Sequence, residues 1–350
     1  MYQETFVVEP RPGYPYHVSG TRYTQEPSKF RGIGTKRGLS VIFLHATGLH
    51  KETWQPAIEC LLRTNGSESA TSAAPWIEEA WSIECPNHGQ SFLLNAEALR
   101  QHYNNEWPLT NYAQAVYEFV TRKPGGHDII SRNLVGVGHS VGAVTLILLS
   151  ESTPRIPFQS IVLCDPFMGP ISDVKYRLGM SAAAVSRTRQ DVWLSRGHAE
   201  KYFQTTPFTR DWAPETKALY CKYAVVDHPA SQRGGRFSFK GVTLACPRDQ
   251  EAEYFRAQTE DTLCYQLLAK LYARKIPVHL IHALRGEKFY AVVRKAHLLC
   301  HGQRPTSVRT IDSEHMHLQL APSETAALIA DILFSVKAKP ESHEVATARL

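Results

Sequence analysis

The sequence predicts an α/β fold whose central sheet is mostly parallel. Short apolar runs bounded by turn residues recur along the chain, and helical stretches lie between them. This alternation is typical of parallel strands joined by crossover helices. The three most apolar runs are nearly unbroken, as expected for strands whose sheet is covered on both faces.

Six strands and four helices carry this prediction. We expect strands at Leu39–Leu44, Ala80–Glu84, Leu134–Val137, Ser160–Cys164, Val278–His282 and Ser307–Ile311. We expect helices at Glu52–Arg63, Asn111–Arg122, Gly142–Ser150 and Ser323–Val336, the last one opened by Pro322. Two further segments, Phe6–Val8 and Tyr16–Arg22, should add antiparallel strands at one edge of the sheet.

Length and composition exclude several classes of protein. The chain has 350 residues, of which 43% are hydrophobic, and 39 Lys and Arg against 33 Asp and Glu give a net charge of +6. Such values exclude collagen, coiled coils and disordered chains. The longest apolar stretch, 143–149, is far shorter than the about 20 residues of a membrane helix. Because the excess of positive charge is small and forms no clustered basic stripe, we expect no nucleic-acid partner.

The two ends of the chain and its cysteines predict the cellular compartment of the protein. Glu4 stands where a secretory signal needs basic residues, so we expect no export. Seven cysteines without a CxxC pair fit a reducing compartment better than a disulfide framework. The last three residues, Ala348, Arg349 and Leu350, form a small-basic-leucine tripeptide like the peroxisomal address Ser-Lys-Leu. We expect the peroxisomal import receptor to bind it; the alternative location is the cytoplasm.

Two segments exceed what the sheet needs. Thr64 to Pro75 is small and polar without an apolar period, which indicates a surface loop. More than 100 residues separate the strand ending at Cys164 from the strand that follows Pro277, far more than one crossover helix requires. We expect residues 171–258 to form a cap on a core made of 1–170 and 259–336, with a tail at 337–350.

The predicted cap carries most of the net charge. It holds 14 Lys and Arg against 9 Asp and Glu, which gives +5, and it is rich in aromatic residues. Such a cap could close an apolar pocket and present cations to an anionic substrate group. Alternatively, the aromatic residues form the cap's own small core and the charges are solvated.

The motif with the clearest chemistry is Gly138-His139-Ser140-Val141-Gly142. It directly follows a predicted strand and precedes a small apolar helix, which is the context that a G-x-S-x-G nucleophile elbow requires. The sharp turn strains the backbone at Ser140, and the glycines let strand and helix approach closely. We expect Ser140 to be the nucleophile and the Val141 N–H to face a developing oxyanion.

A second oxyanion donor is expected after an earlier strand. The strand ending at Leu44 leads into His45-Ala46-Thr47-Gly48, a turn of small residues ahead of a helix. This turn would place the Thr47 N–H beside the Val141 N–H, and each donor contributes about 3 kcal/mol to the tetrahedral intermediate. We also predict that substrate contacts His45, His139 and Phe167. His88 is a further candidate for the pocket wall.

These motifs resemble the α/β-hydrolase superfamily over most of the chain outside the predicted cap. The resemblance implies an α/β-hydrolase fold with an inserted cap and a serine nucleophile. Together with the long cap and the C-terminal Ala-Arg-Leu, the elbow resembles that of fungal peroxisomal hydrolases. That group includes a yeast peroxisomal lipase and hydrolases of host-selective toxin biosynthesis.

A catalytic triad in this fold runs in the order serine, acid, histidine. Two histidines, His315 and His317, follow the last predicted strand. We predict His315 as the general base because it lies seven residues before Pro322, a spacing that the family often keeps; His317 is the alternative. Carboxylate and cysteine ligands at zinc spacing are missing, so we expect no metal and no cofactor.

The acid departs from the family's common pattern. The strand Val278–His282 should lead into a GxxD-like turn, but the turn offers only Glu287. The preceding strand ends in Asp165, and some families of this fold place their acid there. We predict Asp165 as the acid, with Glu287 as the alternative.

A serine at position 140 decides the type of reaction. Dehalogenases and epoxide hydrolases of this fold attack with an aspartate, so the serine indicates acyl transfer to water through an acyl-serine. The leading hypothesis is hydrolysis of a small-molecule carboxylic ester, as in esterases and lipases. The alternatives are an acyl-CoA thioesterase, a hydrolase of secondary-metabolite (toxin) biosynthesis, and a non-catalytic ligand-binding protein. The sequence leaves the oligomeric state open.

Overall fold

The computed structural model describes residues 1–25, 38–64, 75–103, 106–170, 172–256, 258–286 and 288–334. Most of the predicted loop from Thr64 to Pro75 lies outside the described residues. So do Glu287 and the tail 337–350 with its C-terminal tripeptide.

The described residues contain eleven strands. They are β1 (Tyr2–Val8), β2 (Val18–Thr24), β3 (Leu39–Leu44), β4 (Ile77–Ile83), β5 (Asn133–His139), β6 (Phe158–Cys164), β7 (Val192–Trp193), β8 (Val225–Asp227), β9 (Val242–Leu244), β10 (Val278–Ala283) and β11 (Ser307–Ile311). All eight strands predicted from the sequence are present, and most extend by one to four residues beyond the predicted ends.

The described residues also contain thirteen α-helices. They are α1 (Gln55–Thr64), α2 (Gly89–Leu94), α3 (Ala96–His102), α4 (Thr110–Thr121), α5 (Val141–Leu149), α6 (Asp173–Thr188), α7 (Arg196–Thr205), α8 (Pro214–Tyr223), α9 (Arg248–Arg256), α10 (Gln258–Tyr272), α11 (Lys288–Leu298), α12 (His317–Leu320) and α13 (Pro322–Phe334). The helix predicted from Glu52 begins instead at Gln55, after a 3₁₀ turn at Lys51–Trp54. Pro56 fits this boundary because a proline is tolerated in the first turn of a helix.

Eight strands form one sheet in the order β1, β2, β4, β3, β5, β6, β10, β11. The six strands from β4 to β11 pair in parallel, whereas β1 and β2 pair antiparallel at one edge. The predicted α/β fold with a mostly parallel sheet is therefore confirmed.

Apolar side chains cover both faces of this sheet. Along β3, Ile42 and Leu44 point into the core beneath α4, α5 and α10, while Val41 and Phe43 point into the core beneath α1 and α13. Successive residues of a strand face opposite sides of a sheet, so a run without polar residues fits a strand that is buried on both faces.

Residues 173–256 form a separate layer beside the large sheet. They contain α6 to α9 and a small antiparallel sheet in the order β7, β9, β8. Its core includes Trp193, Phe203, Trp212 and Tyr220. The same apolar cluster includes Ala46 and Leu49 from the turn after β3, so these four aromatic residues also pack against the main part of the chain. Among the described residues, no helix is both long and apolar enough to cross a bilayer.

Candidate active site

Ser140 occupies the turn between β5 and α5. Its backbone has φ 55° and ψ −116°, in the left-handed half of the map that non-glycine residues rarely enter. Its N–H donates a hydrogen bond of 2.9 Å to the carbonyl oxygen of Cys164. A Cβ at Gly142 would lie 2.2 Å from the carbonyl oxygen of Leu44, so only glycine fits there. The turn thus depends on the residues that the sequence motif supplies.

His315 lies between β11 and α12 and faces this serine. Its Nε2 is 3.0 Å from the Oγ of Ser140. The Nε2 of His139 is 2.8 Å from the carbonyl oxygen of His315 and donates to it, because a carbonyl can only accept. His139 therefore holds the backbone of His315, and with it the orientation of the imidazole.

Asp165 follows β6 and contacts the other side of the same imidazole. Its Oδ2 is 2.8 Å from the Nδ1 of His315. The Arg294 guanidinium donates to both oxygens of this carboxylate, each over 2.8 Å. Burial alone would raise the pKa of Asp165, but the hydrogen bonds from Arg294 and His315 outweigh it and hold this pKa well below its usual range. Asp165 is therefore ionised at neutral pH.

The alternative base, His317, has a different environment. Its Nδ1 is 3.0 Å from the hydroxyl of Thr325 in α13, and its side chain is fully buried. Burial lowers the pKa of His317 to about 4. The structure therefore pairs Ser140 with His315 rather than with His317, while the alternative acid, Glu287, lies outside the described residues.

The two predicted oxyanion donors are backbone N–H groups. Val141 opens α5, and Thr47 lies in the turn after β3. Among the described residues, neither N–H donates a hydrogen bond within the protein. The next N–H, that of Gly48, donates to the Nε2 of His88 over 2.9 Å. In the turn after β3, the Gly48 N–H therefore already has an acceptor within the protein, whereas the Thr47 N–H has none among the described residues.

The histidines predicted to contact substrate are bonded within the protein. His45 donates from Nδ1 to the carbonyl oxygen of Ala46 over 2.8 Å and accepts at Nε2 from the N–H of Cys85 over 3.1 Å. Burial lowers its pKa to about 3. His88 supports the turn at Gly48, and His139 supports His315. Both nitrogens of His45 are thus bonded within the protein, whereas the Nδ1 of His139 has no partner among the described residues. Contact of these rings with substrate stays a prediction.

Phe167, the third residue predicted to contact substrate, lies beside His315. Its ring centroid is 6.2 Å from that of His315 and 5.7 Å from that of Phe255. The Lys175 ammonium of α6 lies 4.2 Å above its face. Phe255 and Lys175, both within the predicted cap 171–258, thus place an aromatic ring and a cation against Phe167.

The cap also contacts the turn of the oxyanion donors. A Cβ at Gly48, whose φ is +73°, would lie 2.8 Å from the Oε1 of Glu251 in α9. Glu251 is buried and is paired with Arg189, which follows α6. Beside it, the Sγ of Cys246 lies 3.2 Å from the Nε2 of His88. This part of the cap packs directly against the turn.

A cavity of about 680 Å³ lies between α7 and α8. Its wall includes Arg196, Glu200, Lys217 and Lys222, and none of the residues that pair with Ser140. The guanidinium of Arg196 is bonded to the carbonyl oxygens of Cys221 and Val225. We therefore do not assign this cavity to the candidate site. In the described part of the chain, no group of three or more His, Cys, Asp or Glu residues is placed to hold a metal ion.

Sequence reasoning missed Arg294 and Glu251. Arg294 is 129 residues from its partner Asp165, and no local motif marks it. Glu251 lies in a charged stretch whose pattern is typical of an exposed helix. Only the folded arrangement shows that these two charged side chains are buried.

Known proteins resemble this chain in sequence and in fold. A sequence model described as the alpha/beta hydrolase family matches residues 41–328. The peroxisomal alpha-beta-hydrolase Lpx1 from Saccharomyces cerevisiae has a similar structure, with a TM-score of 0.69 at 16% identity, covering 100% of this chain and 93% of that one. At this identity the similarity bears on the fold alone.

Curated relatives match shorter segments. The chain is 36% identical over 92 residues to the abhydrolase domain-containing protein ACTT2-1 of Alternaria alternata, which is 26% of this chain and 33% of that protein. It is 26% identical over 209 residues to the type I acyl-CoA thioesterase mpaH of Penicillium roqueforti, which is 59% of this chain and 44% of that protein. The matches thus cover less than half the length of each relative.

Proposed function

The chain belongs to the alpha/beta hydrolase family, and on this premise we propose that it is a serine hydrolase that cleaves a carboxylic ester through an acyl-serine intermediate. The observation that carries the proposal is the unbroken hydrogen-bonded series from Ser140 through His315 to Asp165, with distances of 3.0 and 2.8 Å. A nucleophile, a base and an orienting carboxylate in this order are the parts that acyl transfer requires.

Each residue has a defined role in the proposed reaction. The Oγ of Ser140 attacks the ester carbonyl carbon while its proton passes to the Nε2 of His315. The oxyanion of the tetrahedral intermediate accepts hydrogen bonds from the N–H groups of Thr47 and Val141. The C–O bond to the leaving group then breaks, and the alcohol departs with the proton from His315. Water attacks the acyl-serine by the same sequence of steps, which releases the acid.

The electrostatics support this assignment of roles. Asp165 is nearly completely buried and stays ionised because Arg294 and His315 donate to it. Its charge keeps the proton of neutral His315 on Nδ1, so that Nε2 is free to accept from Ser140. It also stabilises the imidazolium that forms during the attack.

Labelling with a fluorophosphonate probe tests the nucleophile without knowledge of the substrate. The wild-type protein should be labelled at position 140, and Ser140→Ala should not be labelled. A panel of p-nitrophenyl esters of increasing acyl length should then give turnover that Ser140→Ala and His315→Ala lose. A wild-type protein that is neither labelled nor active would be a non-catalytic ligand-binding member of the family.

A thioester is the second candidate substrate. The similarity to an acyl-CoA thioesterase and the net charge of +5 in residues 171–258 favour it, since the phosphates of coenzyme A would need cations. Competition between acyl-CoAs and p-nitrophenyl esters of the same acyl length separates the two candidates. If no acyl-CoA of any chain length releases free coenzyme A, the thioesterase hypothesis is rejected.

We further propose import into peroxisomes. The proposal depends on Ala348, Arg349 and Leu350, which match the small-basic-leucine pattern of the peroxisomal address. A fluorescent fusion that ends in these residues should give puncta that coincide with a peroxisomal marker. Removal of Arg349 and Leu350 should make the fusion diffuse; unchanged puncta would contradict import through this tripeptide.

A further inference from the structure

The carboxylate of Asp165 is bound from two sides. Arg294 donates from Nε to Oδ1 and from Nη2 to Oδ2, each over 2.8 Å, and His315 donates from Nδ1 to the same Oδ2 over 2.8 Å. The side chains of Asp165 and Arg294 are only 3% and 11% exposed. The guanidinium and the imidazole therefore share one buried anion.

We propose that Arg294 is a positioning residue that acts on His315 through Asp165. It fixes the plane of the carboxylate toward Nδ1, and its positive charge limits how strongly that carboxylate stabilises the imidazolium. This inference rests on the proposed function, because it concerns the base of the same reaction.

The contacts leave the carboxylate little freedom to rotate. A guanidinium that binds both oxygens fixes the plane of the carboxylate, which a single ammonium contact cannot do. The backbone of Asp165 is held as well, since its N–H donates to the carbonyl oxygen of Ile281 over 2.8 Å. In α11, His297 bonds the carbonyl oxygen of Met168 over 2.8 Å, and this contact ties the helix of Arg294 to the segment after Asp165.

The charge of Arg294 opposes protonation of His315. A carboxylate alone beside an imidazole stabilises the imidazolium and makes the histidine a stronger base. Arg294 binds the same carboxylate and offsets its charge, so the imidazolium gains less.

The other titratable groups around this pair do not supply the charge. Four of them are buried histidines on β5, β10, α11 and α12, and burial lowers the pKa of each below its usual value. They are His139, His282, His297 and His317. A further group, the thiol of Cys164 at the end of β6, is buried as well, and burial raises its pKa. All five are neutral where the proposed enzyme would work, so the charge that contacts His315 is that of Asp165, which Arg294 binds.

The test measures the rate of fluorophosphonate labelling at Ser140 as a function of pH in the wild-type protein, Arg294→Gln and Arg294→Lys. Arg294→Gln loses the charge, so the pH at half-maximal rate should rise by roughly one unit, which is the order expected of a charge a few ångströms away at a partly screened site. Arg294→Lys keeps the charge and loses the planar fork, so its midpoint should stay while its maximal rate falls about tenfold.

The matched control is Arg285→Gln. Arg285 also binds both oxygens of an aspartate, Asp312, over 2.8 and 2.7 Å, but both side chains are exposed. Its replacement removes the same kind of pair three residues before His315 and should change neither the midpoint nor the maximal rate.

The outcomes separate the two proposals. A wild-type protein that is not labelled rejects the proposed function, and the role of Arg294 falls with it. If the wild-type protein is labelled but Arg294→Gln and Arg294→Lys have the same pH at half-maximal labelling rate, the electrostatic role is rejected. Thermal unfolding shows whether Arg294→Gln folds; if it does not, Arg294→Lys decides, because a wild-type maximal rate in that variant overturns the positioning role.

Discussion

The Nδ1 of His315 lies 2.8 Å from the Oδ2 of Asp165, although 150 residues separate them in the chain. This contact selects one of the two carboxylates that the sequence offers as partner of the histidine. Asp165→Asn keeps the shape of the side chain but loses its charge and favours the wrong tautomer of His315. We expect kcat to fall by about 10⁴-fold in this variant.

Glu287→Gln is the matched comparison for that prediction. It should keep most of the wild-type kcat, measured on the best p-nitrophenyl ester. An active Asp165→Asn together with an inactive Glu287→Gln would reverse the assignment of the acid.

The two histidines after β11 should respond differently to the same substitution. His315→Gln removes the group 3.0 Å from the Oγ of Ser140, so both fluorophosphonate labelling and ester turnover should be lost. His317→Gln removes a buried ring that bonds Thr325, so it should lower the stability by about 1–3 kcal/mol and leave kcat within a few-fold. Urea unfolding and turnover of both variants check this. Loss of labelling in His317→Gln alone would assign the base to that residue.

The fold was predictable where one strand or helix carries its own signal. The ends of β3 at Leu39 and Leu44 and of β11 at Ser307 and Ile311 match the prediction, because an apolar run marks β3 and a stretch rich in β-branched residues marks β11. The helices α10 and α11 were not predicted. In the folded chain α10 packs against α5, and α11 is held by the bonds of Arg294 to Asp165 and of His297 to the carbonyl oxygen of Met168, none of which a local pattern in the sequence records.

The residues of the candidate site likewise fall into those that a local sequence signal marks and those that no such signal marks. Ser140 is marked by its own turn, and Asp165 and His315 are marked by their places after strands. Arg294 and Glu251 are not marked, because a charged residue in a helix is normally exposed and only long-range contacts bury these two. His45 and His139 are predicted to contact substrate, and the structure adds that each ring donates to a backbone carbonyl oxygen. For His139 that bond could not be predicted, because its acceptor is the carbonyl of His315, 176 residues away.

Buried histidines should make the stability of the folded protein sensitive to mild acid. Burial lowers the pKa of His297 to about 4, below its ordinary value of 6.5. The unfolded chain therefore binds the proton first as the pH falls. The stabilisation is complete above pH 6.5 and is lost between 6.5 and about 4, at up to about 1.4 kcal/mol per pH unit.

His297→Gln should flatten that slope in urea unfolding measured between pH 7 and 5. The control is Tyr272→Phe, which removes a buried hydroxyl that bonds the carbonyl oxygen of His297 over 3.1 Å. It should lower the stability equally at every pH in this range, because a tyrosine hydroxyl does not titrate there. An unchanged slope in His297→Gln would show that this ring is already protonated or exposed in the native state.

Gly48 tests whether the cap restrains the turn of the oxyanion donors. Its φ of +73° disfavours a side chain, and the Oε1 of Glu251, 2.8 Å from a Cβ built at residue 48, leaves no room for one. Gly302 has a similar φ of +82°, but a Cβ built there meets nothing within 4 Å. Gly302→Ala should thus cost only the backbone strain of about 1–2 kcal/mol. Gly48→Ala should cost about 1–3 kcal/mol more, since Glu251 is held by Arg189 and cannot move away freely.

The displaced backbone at residue 48 in Gly48→Ala should also move the neighbouring Thr47 N–H and lower kcat by about tenfold or more, while KM on p-nitrophenyl esters changes little. Equal stability losses in the two variants, with kcat preserved in Gly48→Ala, would show that Glu251 yields and that the cap does not hold this turn.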